Sequence, residues 1–233
     1  MTSIPSQMNA HWNPSPPGAS LDGAHALTKR EAPQAATLTT SADLMSPQEL
    51  AQALQVNFEA MLDPRIGGIT RDSLQRVADE QPLNGTLPTQ EQIEIAQELL
   101  KRRDLFTQLS NAGQKDGLIT RDELAISSQD YQHLSDRGLI DQVGKFFNEY
   151  GGGDEYVNFN ELKEAAGEVE SSKTYTPQER GVAKELLKRQ ELLDQLDIGV
   201  GFLGFAGKQD QRFDRTNVEH TGRNSSVESR YPG

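Results

Sequence analysis

The sequence predicts an all-α fold of tandem helix–loop–helix units lying between a disordered N-terminal leader and a disordered C-terminal tail. Three observations predict it. Helix-capping signatures recur through residues 46–219, apolar residues recur there at three- and four-residue spacing without sustained strand alternation, and one helical segment occurs twice. The 233 residues suffice for one or two compact domains. Only 34% of them are hydrophobic and 6% aromatic, so part of the chain is expected to stay outside any core.

Residues 1–45 form the first expected region. Pro5, Pro14, Pro16, Pro17 and Pro33 are scattered among Ser, Thr, Ala and Asn with neither helical nor strand periodicity, a composition that cannot support a packed core. A basic stretch followed by an apolar run is missing, which argues against a Sec signal peptide. Ile stands at position 4, half of the leading dozen residues are Ser, Gln, Asn, Thr or Pro, and the first acidic residue is Asp22. This resembles the uncleaved leaders of type III secreted proteins of plant-associated bacteria, which enter a narrow channel as extended chain.

Helical elements begin at residue 46. Ser46-Pro-Gln-Glu49, Thr89-Gln-Glu-Gln92, Thr120-Arg-Asp-Glu123 and Thr176-Pro-Gln-Glu179 fit the capping box, in which a hydroxyl takes the third helical N–H and the acid or amide reaches back. Asn158-Phe-Asn-Glu161 is a variant with Asn as cap, and two of the boxes place Pro at the first helical position. The apolar stripes follow: Ile93, Ala96 and Leu100; Leu139, Val143 and Phe146; Val182, Leu186 and Leu193.

Residues 96–110, AQELLKRRDLFTQLS, and 183–197, AKELLKRQELLDQLD, match at nine of fifteen positions. Each copy leads into a turn bearing Gly and Asp and then a new helix start. Two further segments, DPRIGGITRDSL from Asp63 and GGGDEYVNFNEL from Gly151, share the second half of the unit. The unit is therefore helix, polar turn, one apolar residue, capped helix. That is the layout of an EF-hand, whose calcium loop places oxygen ligands at positions 1, 3, 5, 7 and 9, Gly at 6 and a bidentate Glu at 12.

Against that template the candidate ligands for calcium are Asn111, Asp116, Thr120 and Glu123 in the second turn, and Asp154, Asn158 and Glu161 in the third. Asp63 in the first turn and Asp210 and Asp214 in the fourth complete the set. Every turn misses a strong ligand. Ala112 and Gln114 fall on positions 1 and 3 of the second turn, Tyr150 and Gly152 on those of the third, and Ser73 stands where Glu belongs in the first. Asp122 is expected to point away from its turn. Thr120 with Glu123, and Asn158 with Glu161, are equally explained as capping boxes, so bound calcium and purely structural pseudo-EF-hands both account for these residues. The apolar residues between turn and helix offer two pairings: Ile69 with Ile119 and Val157 with Phe213, or Ile119 with Val157.

The leucine-rich AxxLLxxxxLFxxL segment, the Gly/Lys-rich loop, the DG pair and the Ile-Thr-Arg-Asp-Glu-Leu start at 96–124 resemble the repeats of HrpF/NolX-type proteins. Those are translocon components of type III secretion in plant pathogens and rhizobia, and residues 183–218 carry the likeness less fully. The resemblance implies secretion, with delivery toward a host cell, and a protein partner in the host or the secretion apparatus. Family members are longer and carry hydrophobic segments. This chain offers only Ile198–Ala206, nine residues with three Gly, against about 20 for a membrane span. A small effector or accessory protein without stable membrane insertion is therefore expected.

Other classes are disfavoured. A net charge of −12 opposes phosphate-driven nucleic-acid binding. The absence of Cys removes thiolate metal sites, disulfides and a Cys nucleophile. His11, His25, His133 and His220 are scattered, and neither a nucleophile motif nor a phosphate-binding Gly loop occurs, so no catalytic residues are expected. Residues 46–219 are thus read as the repeat domain and 220–233 as a polar tail.

Overall fold

The computed structural model describes residues 41–111, 117–199, 209–228 and 230. The leader through residue 40, Asp116 and most of the apolar segment 198–206 lie outside the described residues, which are mostly helical. The first half contains α1 (Pro47–Val56), α2 (Phe58–Met61), α3 (Arg71–Ala78), α4 (Gln90–Lys101), α5 (Arg103–Leu109) and α6 (Arg121–Ser128). The second contains α7 (Asp136–Lys145), α8 (Phe147–Gly151), β1 (Tyr156–Asn158), α9 (Phe159–Ala166), α10 (Pro177–Lys188), α11 (Gln190–Ile198), β2 (Arg212–Asp214) and α12 (Arg215–Asn224).

The expected capping boxes at Ser46, Thr89, Thr120, Asn158 and Thr176 all form, and Thr70 makes another with Ser73. Each satisfies backbone donors that the first helical turn would otherwise leave open, and losing such a cap costs about 0.5–2 kcal/mol.

The long apolar stripes do not run through continuous helices. The chain breaks at Asn57 and Phe146 with the same dihedrals, φ −97° and ψ 15°. It breaks again at Arg102, φ −86° and ψ 67°, and at Arg189, φ −91° and ψ 72°. At the two arginines the break residue's own side chain reaches across the fold. Arg102 Nε donates to Glu98 at 2.6 Å, while its terminal nitrogens donate to the carbonyls of Met45 at 2.6 Å and Asp43 at 2.9 Å. Arg189 Nε donates to Glu185 at 2.9 Å, one terminal nitrogen to Asp136 at 2.9 Å, and the other to the carbonyls of Tyr131 and Gln132 at 3.2 and 3.3 Å. Each fork thus holds a one-turn 3-10 helix, Ala42–Leu44 in the first case and Tyr131–His133 in the second.

Burial divides the apolar residues into two clusters. The first runs from Ala42 to Leu124 and includes Leu54, Met61, Ile95, Leu99 and Phe106. The second runs from Ala125 to Val218 and includes Leu139, Phe147, Tyr150, Leu186 and Leu196. Helix α6 belongs to both, sending Leu124 into the first and Ala125 and Ile126 into the second.

Each cluster is closed by one of the two apolar pairings that the sequence allowed. Ile69 and Ile119, both fully buried, exchange two backbone hydrogen bonds of 2.9 Å. Val157 and Phe213 are partners in the antiparallel pair β1–β2. Gly68 makes the first bridge possible: a Cβ there would lie 2.6 Å from the Leu118 side chain and 3.1 Å from the Ile119 carbonyl oxygen.

The expected boundaries shift at both ends. Ala42, assigned to the leader, is buried in the first cluster. At the other end, α12 continues through residues 220–224 of the expected tail. Thr221 and Gly222 are buried, and Gly222 lies so near Ile140 that a Cβ would sit 3.2 Å from its side chain. Beyond the helix, Ser226 accepts from the Arg137 N–H and the Arg230 N–H donates to His133. Gly222, Ser226 and Arg230 are therefore fastened to α7 and to the 3-10 turn that precedes it.

Candidate functional site

The turns between helices are positioned by the caps of the helices that follow, and those caps already use Thr120, Glu123, Asn158, Glu161 and Asp214 among the candidate ligands. In the second turn, Glu123 Oε2 accepts from the Thr120 N–H at 2.8 Å and from its hydroxyl at 3.1 Å, and the glutamate is buried. Asn111 is exposed near the start of the turn, while Asp116 lies outside the described residues. Asn111, Thr120 and Glu123 all line one groove, and of these Thr120 and Glu123 are joined by hydrogen bonds.

In the first turn, Asp63 accepts from the backbone N–H of Arg65 at 2.9 Å and from its guanidinium at 3.4 and 3.2 Å. These bonds hold the Asp63 carboxyl below the usual carboxylate range. In the third turn, Asn158 Oδ1 accepts from Glu161 N–H at 3.0 Å and Glu161 Oε2 accepts from Asn158 N–H at 2.9 Å. Glu161 Oε1 faces the ammonium of Lys173 at 3.9 Å. In the fourth, Asp214 accepts from the Asn217 N–H at 2.8 Å and Asp210 pairs with Arg212 at 2.7 Å. The structure also places Asp154 and Asp214 on the walls of one cleft of about 400 Å³, beside Arg215.

Asp63 and Glu161, the principal carboxylates of the two fully described turns, thus face cations and N–H groups of the chain itself. A calcium ion needs six to eight oxygens with several carboxylates among them, and neither turn presents such a set. Among the described residues, no three His, Asp or Glu side chains gather with the spacing of a metal site. Among them, too, no helix is long and apolar enough to cross a membrane.

A groove of about 880 Å³ is lined by residues of α2, α6 and α7 together with Val227. Phe58, Leu62 and Ile126 supply apolar wall, and charged side chains of both signs surround it. The Arg121 guanidinium stacks 4.5 Å from the Phe58 ring centre and donates to Glu59 at 2.6 Å. Asp122, on the same wall, turns away from its turn toward the next segment, as expected. It accepts from the Ser135 N–H at 2.7 Å and from the Ser135 hydroxyl at 2.5 Å. Burial raises its pKa, against the opposing pull of those hydrogen bonds. Gly138 lies against the Asp122 carboxylate with no room for a Cβ.

Sequence reasoning missed the two arginine clamps, the Asp122–Ser135 tie and Lys173. A signal for the clamps was present: Glu98 with Arg102, and Glu185 with Arg189, recur at i,i+4 in both copies of the repeat. Lys173 sits in an aperiodic connection, where nothing local marks its destination.

No family model matches the chain, and neither the curated proteins nor the solved structures returned a significant match.

Proposed function

We propose that this chain is a type III secreted effector or translocon-accessory protein built from tandem EF-hand-like helix–loop–helix units, acting by protein–protein binding rather than catalysis. The observation that carries it is the satisfaction of the turn carboxylates by the chain's own donors, notably Asp63 by Arg65 and Glu161 by Asn158 and Lys173. Turns of this kind serve as struts between helix pairs, which leaves the helical surface to engage a partner. The groove beside α6, with apolar wall and charges of both signs, has the mixed character of a protein-binding surface. The leader composition and the likeness of 96–124 to HrpF/NolX-type repeats support the export half of the reading. A host protein or a component of the secretion apparatus is the partner implied.

The decisive experiment fuses the leader to a reporter and asks for needle-dependent export. Because Ala42 packs into the first cluster, the fusion is cut after residue 40. Residues 1–40 are expected to carry the reporter out of a secreting strain and to leave it inside a needle mutant. Retention in both strains overturns the export reading.

The second reading, a calcium-responsive module, rests on the 111–123 turn, where a buried Glu123 stands near Asp116 in sequence. Calorimetric titration of the full chain is expected to be flat up to about millimolar calcium, the range of the weakest EF-hand sites. Saturable heat that disappears in Glu123→Gln would instead favour the sensor.

A further inference from the structure

The connection between α9 and α10 delivers one cation into the third turn, and its delivery is built in several steps. Helix α9 stops at Gly167, which takes the left-handed conformation with φ 78°. A few residues on, the Ser171 hydroxyl donates to Glu164 at 2.8 Å and accepts from the Lys173 N–H at 3.1 Å. The backbone of Lys173 is thereby tied to the helix it has just left. Its side chain crosses to the turn, where Nζ donates to the Tyr150 carbonyl at 2.9 Å and lies 3.9 Å from Glu161 Oε1. It also lies so close to the chain that a Cβ on Gly152 would meet Nζ at 2.8 Å.

On the EF-hand register, Tyr150, Gly152 and Glu161 are positions 1, 3 and 12. The ammonium therefore hydrogen-bonds to the beginning of the loop and stands 3.9 Å from its closing carboxylate, so one positive charge lies between the loop's two ends. We propose that Lys173 Nζ is the resident cation of the 150–161 turn, closing it with a charge supplied by the chain where an EF-hand would use a metal ion. This rests on the EF-hand-like reading above and extends it to a particular ligand. An ammonium can do this because it offers three donors on a flexible stem, matched to a carbonyl and a carboxylate oxygen. Gly152 leaves that space open: a Cβ there would lie 2.8 Å from Nζ and oblige the ammonium to shift.

The test is a double-mutant cycle in the full chain. Lys173→Met is expected to lower the melting midpoint by roughly 3 °C, the scale of one lost partly buried charge contact in a chain of this size. Lys173→Arg should retain most of it. Glu161→Gln, which keeps the capping geometry, should also lower the midpoint, and the double variant should lose less than the sum of the two, because each single change already removes the other's partner. The proposal is overturned if Lys173→Met melts with wild type or if the two losses simply add. A calcium response that disappears in Glu123→Gln would count against the proposed function instead, so the two failures are read separately.

Discussion

Replacing Arg189 with Ala is expected to destabilise the protein by about 3–5 kcal/mol, the usual cost of stripping one partner from a buried ion pair. The Arg189 side chain is only 2% exposed and engages Glu185, Asp136 and two backbone carbonyls at once. Without it, Glu185 keeps the Lys188 ammonium at 3.6 Å, Asp136 keeps the solvent-facing Arg230, and the carbonyls of Tyr131 and Gln132 lose a donor. For a chain of this length the loss should lower the thermal midpoint by roughly 10 °C. Arg102→Ala provides the internal comparison. Its side chain is 26% exposed and its carbonyl partners stand nearer to water, so about half the effect is expected. Thermal melts by far-UV dichroism, with near-UV signals from Tyr131, Tyr150 and Tyr175 reporting on the second cluster, would separate the two. Equal effects, or a larger one for Arg102→Ala, would refute the view that the Arg189 fork is the stronger clamp. Arg189→Lys should remain well below wild type, because one ammonium cannot reproduce a planar fork that serves three directions.

Phe213→Ala is expected to cost about 3–5 kcal/mol, as for a large aromatic side chain removed from a close-packed core. Phe213 is fully buried, opposes Val157 across β1–β2 and meets Phe147 edge-on with ring centres 6.1 Å apart. The strands are three residues long, so little ladder remains to hold the turns together once the ring is gone. Urea unfolding should show a midpoint shifted far to lower concentration. Phe213→Leu, which keeps most of the volume, should recover the larger part. A Phe213→Ala protein as stable as wild type would mean that the paired turns do not support the second core.

Much of this architecture was legible because the relevant rules are local. Ser46, Thr89, Thr120, Asn158 and Thr176 announce helix starts through atoms only three residues apart, and each box forms. The choice between Ile119–Ile69 and Ile119–Val157 was not legible, because all three residues are β-branched and apolar and only packing distant in sequence selects the partner. Helix breaks at Arg102 and Arg189 were hidden for a related reason. The apolar stripe continues across them, whereas the break accompanies side chains that reach carbonyls some 57 residues away in sequence. The end of the fold was missed because α12 packs through Val218, Thr221 and Gly222. Small and polar residues at a close helix contact leave no hydrophobic period to read. Of the candidate site, the turns and their carboxylates were visible in the sequence, but the chain's own cations that meet those carboxylates arrive partly from outside the repeat.

Helix α6 has a mechanical consequence. Adjacent residues on it, Leu124 and Ala125, anchor in different hydrophobic clusters, so the two halves share a beam instead of hanging on a string. Neither half can be expressed alone without exposing one side of that beam. A load applied to the first half passes directly into the second, and both should give way in a single concerted event.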